Sequence, residues 1–144
     1  MSRLVVGYDG SDGARRAVTW AAGQAGPEGT IVLVYSERPL HAPAASLAST
    51  DERRRFGRAV VDELLLEGED ELRDLDLRVE ISDRDPVSAL LHAAASHSAD
   101  AIVIGSQDHS ALQRALGTVT TELIKRSPVP VTAVPAALAP AGEP

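Results

Sequence analysis

At 144 residues and 15.1 kDa the chain is long enough for one domain and too short for two large ones. Its 44% hydrophobic and 24% charged residues match an ordinary globular composition, which excludes collagen-like and disordered classes. The absence of cysteine excludes disulfide scaffolds, thiolate metal sites and cysteine nucleophiles. A net charge of −7 supplies no overall basic surface for phosphates, so nucleic acid is disfavoured as the main partner.

The opening MSRLVVGYDG holds only a short apolar run before Gly7, too little for a signal-peptide core or a membrane span. The expectation is a soluble, cytoplasmic protein with no membrane partner. Aromatics amount to 3% (Tyr8, Trp20, Tyr35, Phe56), so the core must be built from Ala, Val, Leu and Ile.

Five apolar runs rich in β-branched residues read as strands: LVVGY from Leu4, TIVLVY from Thr30, LRVEI from Leu77, AIVIG from Ala101 and VPVTAV from Val129. Four are nearly continuous, as in strands buried on both faces of a parallel sheet. LRVEI alternates, which suits a strand nearer an edge. Pro128 and Pro130 put the last run at an edge too, because proline cannot donate to a ladder.

Helical periodicity fills the gaps. Ala14, Ala17, Val18, Ala21, Ala22 and Ala25 make one stripe, with Ser11 or Asp12 as the cap and Gly26-Pro27 as the stop. A longer helix is expected from Asp51 to about Leu72, weakened toward its end by Gly68. Asp85-Pro86 is an N-cap followed by a first-turn proline, opening a helix with its stripe on Val87, Leu90, Leu91, Ala94 and Ala95. A last helix should run from about Thr118 to Lys125. The β-α-β-α-β-α-β-α-β order predicts one α/β domain over residues 1–135, a doubly wound parallel sheet with helices on both faces. The segment from Pro39 to Thr50 reads as a surface loop, and residues 136–144 as a flexible tail.

Ligands of open α/β sheets bind beyond the carboxyl ends of the strands, where the winding reverses. The first strand exits into Gly7-Tyr8-Asp9-Gly10-Ser11. The fourth exits into Gly105-Ser106-Gln107-Asp108-His109-Ser110, and Gly117-Thr118-Val119 then opens a helix. Glycines admit close backbone approach, and a helix start offers unpaired N–H groups to an anion. The pattern suggests a phosphate cradle at Gly105 and Gly117-Thr118, with Asp9 accepting hydrogen bonds from a sugar or base. The same residues also read as plain turn and cap chemistry, and neither segment is a GxGxxG or Walker A motif. His92 and His97 lie five apart, roughly 140° around a helix, so they share no ligand face. Nor does His41 belong to a cluster with zinc-like spacing. Ser106, Asp108 and His109 are triad residue types without a nucleophile elbow. The run Asp51-Glu52-Arg53-Arg54-Arg55 reads as a solvated first helical turn.

From Leu4 to Val134 the chain resembles the universal stress protein family. The resemblance is carried by VVGYDGSDGARRAVTWAA, IVLVYSERP, DPVSALLHAA and DAIVIGSQDHSALQRALGTVTTELIKRSPVPVTAV, in that order. It implies a five-stranded, Rossmann-like parallel sheet and a homodimer paired through the last strand, Val129 to Val134. It also implies ATP, with or without Mg, in those members that carry Gly-x2-Gly-x9-Gly-Ser/Thr after the fourth strand. On that pattern Gly105 matches the first glycine, and Gly117 with Thr118 the final pair. Asp9 matches the acidic residue near the nucleoside, and Ser36 falls where the second strand meets adenine. Two departures stand out: Asp108 occupies the second glycine position, and the interval to Gly117 is one residue short. The expectation is an ATP-binding stress sensor with slow hydrolysis at most. The alternative is a dimeric interaction module of the same fold that binds no nucleotide.

Overall fold

The computed structural model describes residues 3–37, 50–105 and 119–135. Their elements are β1 (Arg3–Gly7), α1 (Asp12–Ala25), β2 (Thr30–Ser36), α2 (Thr50–Glu67), α3 (Glu69–Leu72), β3 (Asp76–Ser82), α4 (Pro86–Ser96), β4 (Ala101–Gly105), α5 (119–126) and β5 (Val131–Val134). The strands form one sheet in the order β3-β2-β1-β4-β5, and every pairing is parallel. The expected α/β, doubly wound, Rossmann-like arrangement is what the chain adopts.

Alternation along β1 sorts its side chains between two cores. Leu4 and Val6 join Ile31, Leu33 and Val103 beneath α1 and α2, together with Ala17, Ala21, Val61 and Leu64. Val5 joins Val32, Val34, Ile102 and Ile104 on the opposite face, under Leu90 and Ala93 of α4 and Leu123 of α5. Leu123 is fully buried; removing such a side chain from water stabilises by roughly 1.5–3 kcal/mol and fastens α5 to the sheet.

Local signals set most boundaries. The Ser11 Oγ accepts from the Ala14 N–H, and Asp85 accepts from the Ser88 N–H ahead of Pro86. The long helix expected to continue to Leu72 ends instead at Glu67. Gly68 adopts φ −99° and ψ 19°, and a four-residue helix follows. The last strand starts two residues later than its apolar run, after Pro130, whose carbonyl still accepts from the Ile102 N–H at 2.9 Å. Both edge assignments hold: β3 and β5 flank the sheet. No helix among the described residues is long and apolar enough to cross a membrane.

Candidate functional site at the strand carboxyl ends

The strand order reverses direction at β1, which has β2 on one side and β4 on the other. In open α/β sheets such a divergence is where ligands bind, and here that place lies beyond Gly7 and Gly105. Asp9 is exposed at the exit of β1, and its Oδ1 accepts from the Ser11 N–H at 2.9 Å. Gly10 supports this turn with φ +86°, a left-handed value that suits glycine. The carboxylate is therefore held by its own turn and stays exposed beside that place.

Gly105 has a packing reason of its own. A Cβ there would lie 2.1 Å from the Gly13 carbonyl oxygen and 2.9 Å from the Ala14 nitrogen. The end of β4 thus presses its backbone against the first turn of α1. At Gly7 a Cβ would make only ordinary contacts of 3.4–3.5 Å with Leu90 and Ile104. The bare backbone at Gly7 is not demanded by packing.

On the β2 side, the Ser36 Oγ donates to the Arg84 carbonyl at 2.7 Å, and the Arg84 N–H donates to the Ser82 Oγ at 3.1 Å. These bonds tie the exit of β2 to the loop before α4. Tyr35 and Glu37 flank Ser36, and sequence reasoning missed both. Burial pushes the Tyr35 phenol above its ordinary pKa, and the carboxylates of Asp9 and Glu37 add to that shift. The Glu37 side chain is 0% exposed; Oε1 accepts from the Arg54 Nε at 3.2 Å, and Oε2 has no partner among the described residues. A second tyrosine, Tyr8, is also raised by burial, with the neighbouring Arg15 guanidinium pulling the other way. Arg15 in turn bridges to Glu63 and Glu67, joining α1 to α2.

The described structure therefore brings Gly7, Asp9, Ser36 and Gly105 to one edge of the sheet. Val119 is part of α5 and packs on the apolar cluster beneath it. Ser106, Asp108, Gly117 and Thr118 lie outside the described residues, as do His41, His109, residues 39–49 of the expected Pro39–Thr50 loop and the expected tail 136–144; Thr50 itself opens α2. His92 contacts Ser96 at 3.4 Å, whereas His97 pairs with Glu80 at 2.7 Å, so the two histidines do go separate ways. Among the described residues no three His, Asp or Glu side chains gather in a metal-ligating group.

The chain is similar to known proteins over nearly its whole length. The universal stress protein Rv1636 of Mycobacterium tuberculosis is 30% identical over 138 residues, covering 91% of this chain and 94% of that relative. A crystal structure of a universal stress protein in complex with cAMP is 25% identical and superposes with a TM-score of 0.60, covering 94% of this chain and 98% of that one. The universal stress protein UspA from Lactobacillus plantarum shares the fold at a TM-score of 0.71 and 22% identity, covering 92% of this chain and 97% of its own. The family model described as "Universal stress protein family" matches residues 1–135, and the chain belongs to that family.

Proposed function

We propose that this protein is a nucleotide-responsive stress protein that binds an adenine nucleotide, ATP by preference, at the carboxyl ends of β1 and β4. The observation that carries the reading is the convergence of Asp9, Gly7 and Gly105 on the crevice where the winding reverses. The cAMP complex of the 25% identical relative supports it. Asp9 accepts from ribose hydroxyls with the oxygen that Ser11 leaves open. The bare backbone at Gly7 lets the nucleoside approach the sheet, and the backbone around Ser36 meets the base. The phosphates fall to Gly105, Ser106 and the Gly117-Thr118 turn ahead of α5, where N–H groups at a helix start favour an anion. Mg enters, if at all, on the phosphates. Binding orders the segment from Gly105 to Gly117 and so changes a surface that a partner reads. The working unit is a homodimer paired through Val129–Val134, in the cytoplasm, with hydrolysis slow or absent.

A second reading has its own support. Gly105 is accounted for by its contact with Gly13, and Asp108 sets a negative charge in a glycine position of the nucleotide pattern. On that reading the crevice is empty of nucleotide and the protein acts through its surfaces. Calorimetric titration with Mg·ATP, AMP and cAMP separates the two. Saturable binding that weakens about tenfold or more in Asp9→Ala supports the first reading, since a charge-assisted hydrogen bond is worth about 1.5–3 kcal/mol. No heat with any of the three, at two temperatures, supports the second.

A further inference from the structure

We infer that the open edge of β3 is a self-complementary surface that pairs antiparallel with β3 of a second copy of this chain, about a two-fold axis at Val79. The edge lies at the opposite end of the sheet from β5, and the inference holds whether or not the crevice takes nucleotide.

The backbone sets the frame. The Asp76 N–H donates to the Gly29 carbonyl, and the Ser82 carbonyl accepts from the Glu37 N–H at 2.7 Å. The even-numbered residues of β3 therefore turn their amides and carbonyls toward β2. Leu77, Val79 and Ile81 turn theirs outward, where no strand lies beside them among the described residues. Exposed rows of this kind are templates for another strand. Burial points the same way: β2 is buried from Ile31 to Tyr35, whereas Leu77, Val79 and Ile81 remain only half-buried. An open groove of about 270 Å³ runs beside the carboxyl half of this edge, bordered by Arg54, Ser82, Arg84 and His92.

The sequence identifies the occupant. Leu77-Arg78-Val79-Glu80-Ile81 is self-complementary about its centre: apolar residues at both ends, and a basic and an acidic residue at equal distances on either side of Val79. With Val79 on the axis, Leu77 faces the second copy's Ile81 and Val79 faces its counterpart, extending the apolar layer beneath α2. These outward-turned residues form the hydrogen-bonded pairs. Arg78 falls opposite the second copy's Glu80, and Glu80 opposite its Arg78. Both are non-hydrogen-bonded positions, where side chains come closest. Arg78 is 58% exposed and pairs with Asp76 of its own strand at 3.2 Å, and the Glu80 side chain keeps 32% exposure beside His97, so both charges remain accessible to a strand laid along this edge. The neighbouring registers are opposed by charge. A slip one way sets Arg78 against Arg78 and Asp76 against Glu80, and a slip the other way sets Glu80 against Glu80. An isologous contact of this kind joins two copies about its own axis, and, since β5 lies at the opposite edge of the sheet, it joins β5-paired homodimers to one another rather than replacing their pairing.

The chain has no cysteine, so a single introduced one reports the contact directly. In the paired state the two Val79 Cα atoms lie about 5.5 Å apart, within the range a disulfide spans. The two Asp76 positions lie about 20 Å apart. Under mild oxidation the full-length Val79→Cys protein should give a cross-linked dimer at a concentration where Asp76→Cys gives none. Sedimentation of Arg78→Glu and of Glu80→Arg should each show association beyond the β5-paired dimer weakened about tenfold or more, because attraction at both β3 positions becomes repulsion while the β5 edge is unchanged. An equimolar mixture of those two variants should recover association, since an edge acidic at both positions then meets an edge basic at both. Equal cross-linking of the two cysteine variants would overturn the inference. So would assembly beyond the β5-paired dimer that ignores both charge reversals. Melting curves of each variant show whether it is folded, and the mixture restores binding only if it is.

Discussion

Gly105 and Gly13 are in contact through their backbones: a Cβ on the first would sit 2.1 Å from the carbonyl oxygen of the second. The obstacle is main chain in the first turn of α1, so no flexible side chain can swing away. Gly105→Ala should force β4 and α1 apart and destabilise by about 1–3 kcal/mol, the range for overpacked cores. Thermal melting checks this. Titration of the variant with Mg·ATP should show weakened binding in parallel, because the same displacement moves both lips of the crevice.

Glu37 is a buried carboxylate whose single described partner, Arg54, is itself 60% exposed. Arg54→Ala should destabilise by about 1–2 kcal/mol, below the range for breaking a fully buried pair because water reaches the arginine. The double variant Arg54→Ala/Glu37→Gln should be more stable than Arg54→Ala alone, since the uncompensated charge has gone. Urea unfolding of the two proteins at neutral pH decides it.

Asp85 caps α4, and the backbone N–H of Ser88 holds its carboxyl below the ordinary aspartate value, against a smaller opposing effect of burial. A depressed value in the folded state means the cap contributes fully above about pH 4 and is lost as pH falls through the lowered pKa. Asp85→Ala should cost about 1 kcal/mol at pH 7. Asp85→Asn should retain most of the cap and flatten the acid limb of the stability curve. Unfolding measured from pH 7 down to pH 2 distinguishes the two.

The Tyr35 phenol carries the opposite signature at high pH. Its folded pKa is raised, chiefly by burial and further by Asp9 and Glu37. Unfolded chains release this proton near pH 10, ahead of folded ones, so stability falls as pH rises above that value. Tyr35→Phe should flatten part of the alkaline limb between pH 9 and pH 11, with Tyr8 supplying part of what remains. Denaturant titrations across that window supply the check.

Features encoded within a few residues are open to reading from the sequence. Ser11 and Asp85-Pro86 announce their helices through side chains that reach three residues ahead. The alternation of LRVEI and the prolines around β5 mark both sheet edges, because pattern and missing donors are local properties. Glu37 reads in sequence as one more charged residue at a strand end. Its burial depends on tertiary packing, with Arg54 of α2 supplying its described partner. Gly105 stands out for its closeness to a phosphate pattern, yet Gly13, which explains its missing side chain, lies far away in sequence. The helix break at Gly68 is visible as a weakness only, since propensity alone does not decide whether one glycine bends or ends a helix.

The earliest of the described strands in the chain is also the middle one of the sheet. β1 is stitched to the α4–β4 turn by the Arg3 N–H on Asp100 at 3.0 Å, a contact 97 residues apart in the chain. The Asp100 N–H donates back to the Arg3 carbonyl. During synthesis β1 can gain β2 early, but its other side waits for β4, a delay of roughly 5–20 s at ordinary elongation rates. Through that interval one side of the apolar run Leu-Val-Val stands unpaired at what will become the heart of the sheet. A chain made only as far as Asp100 has no β4 with which to cover that side of β1, so the middle of this sheet is completed late.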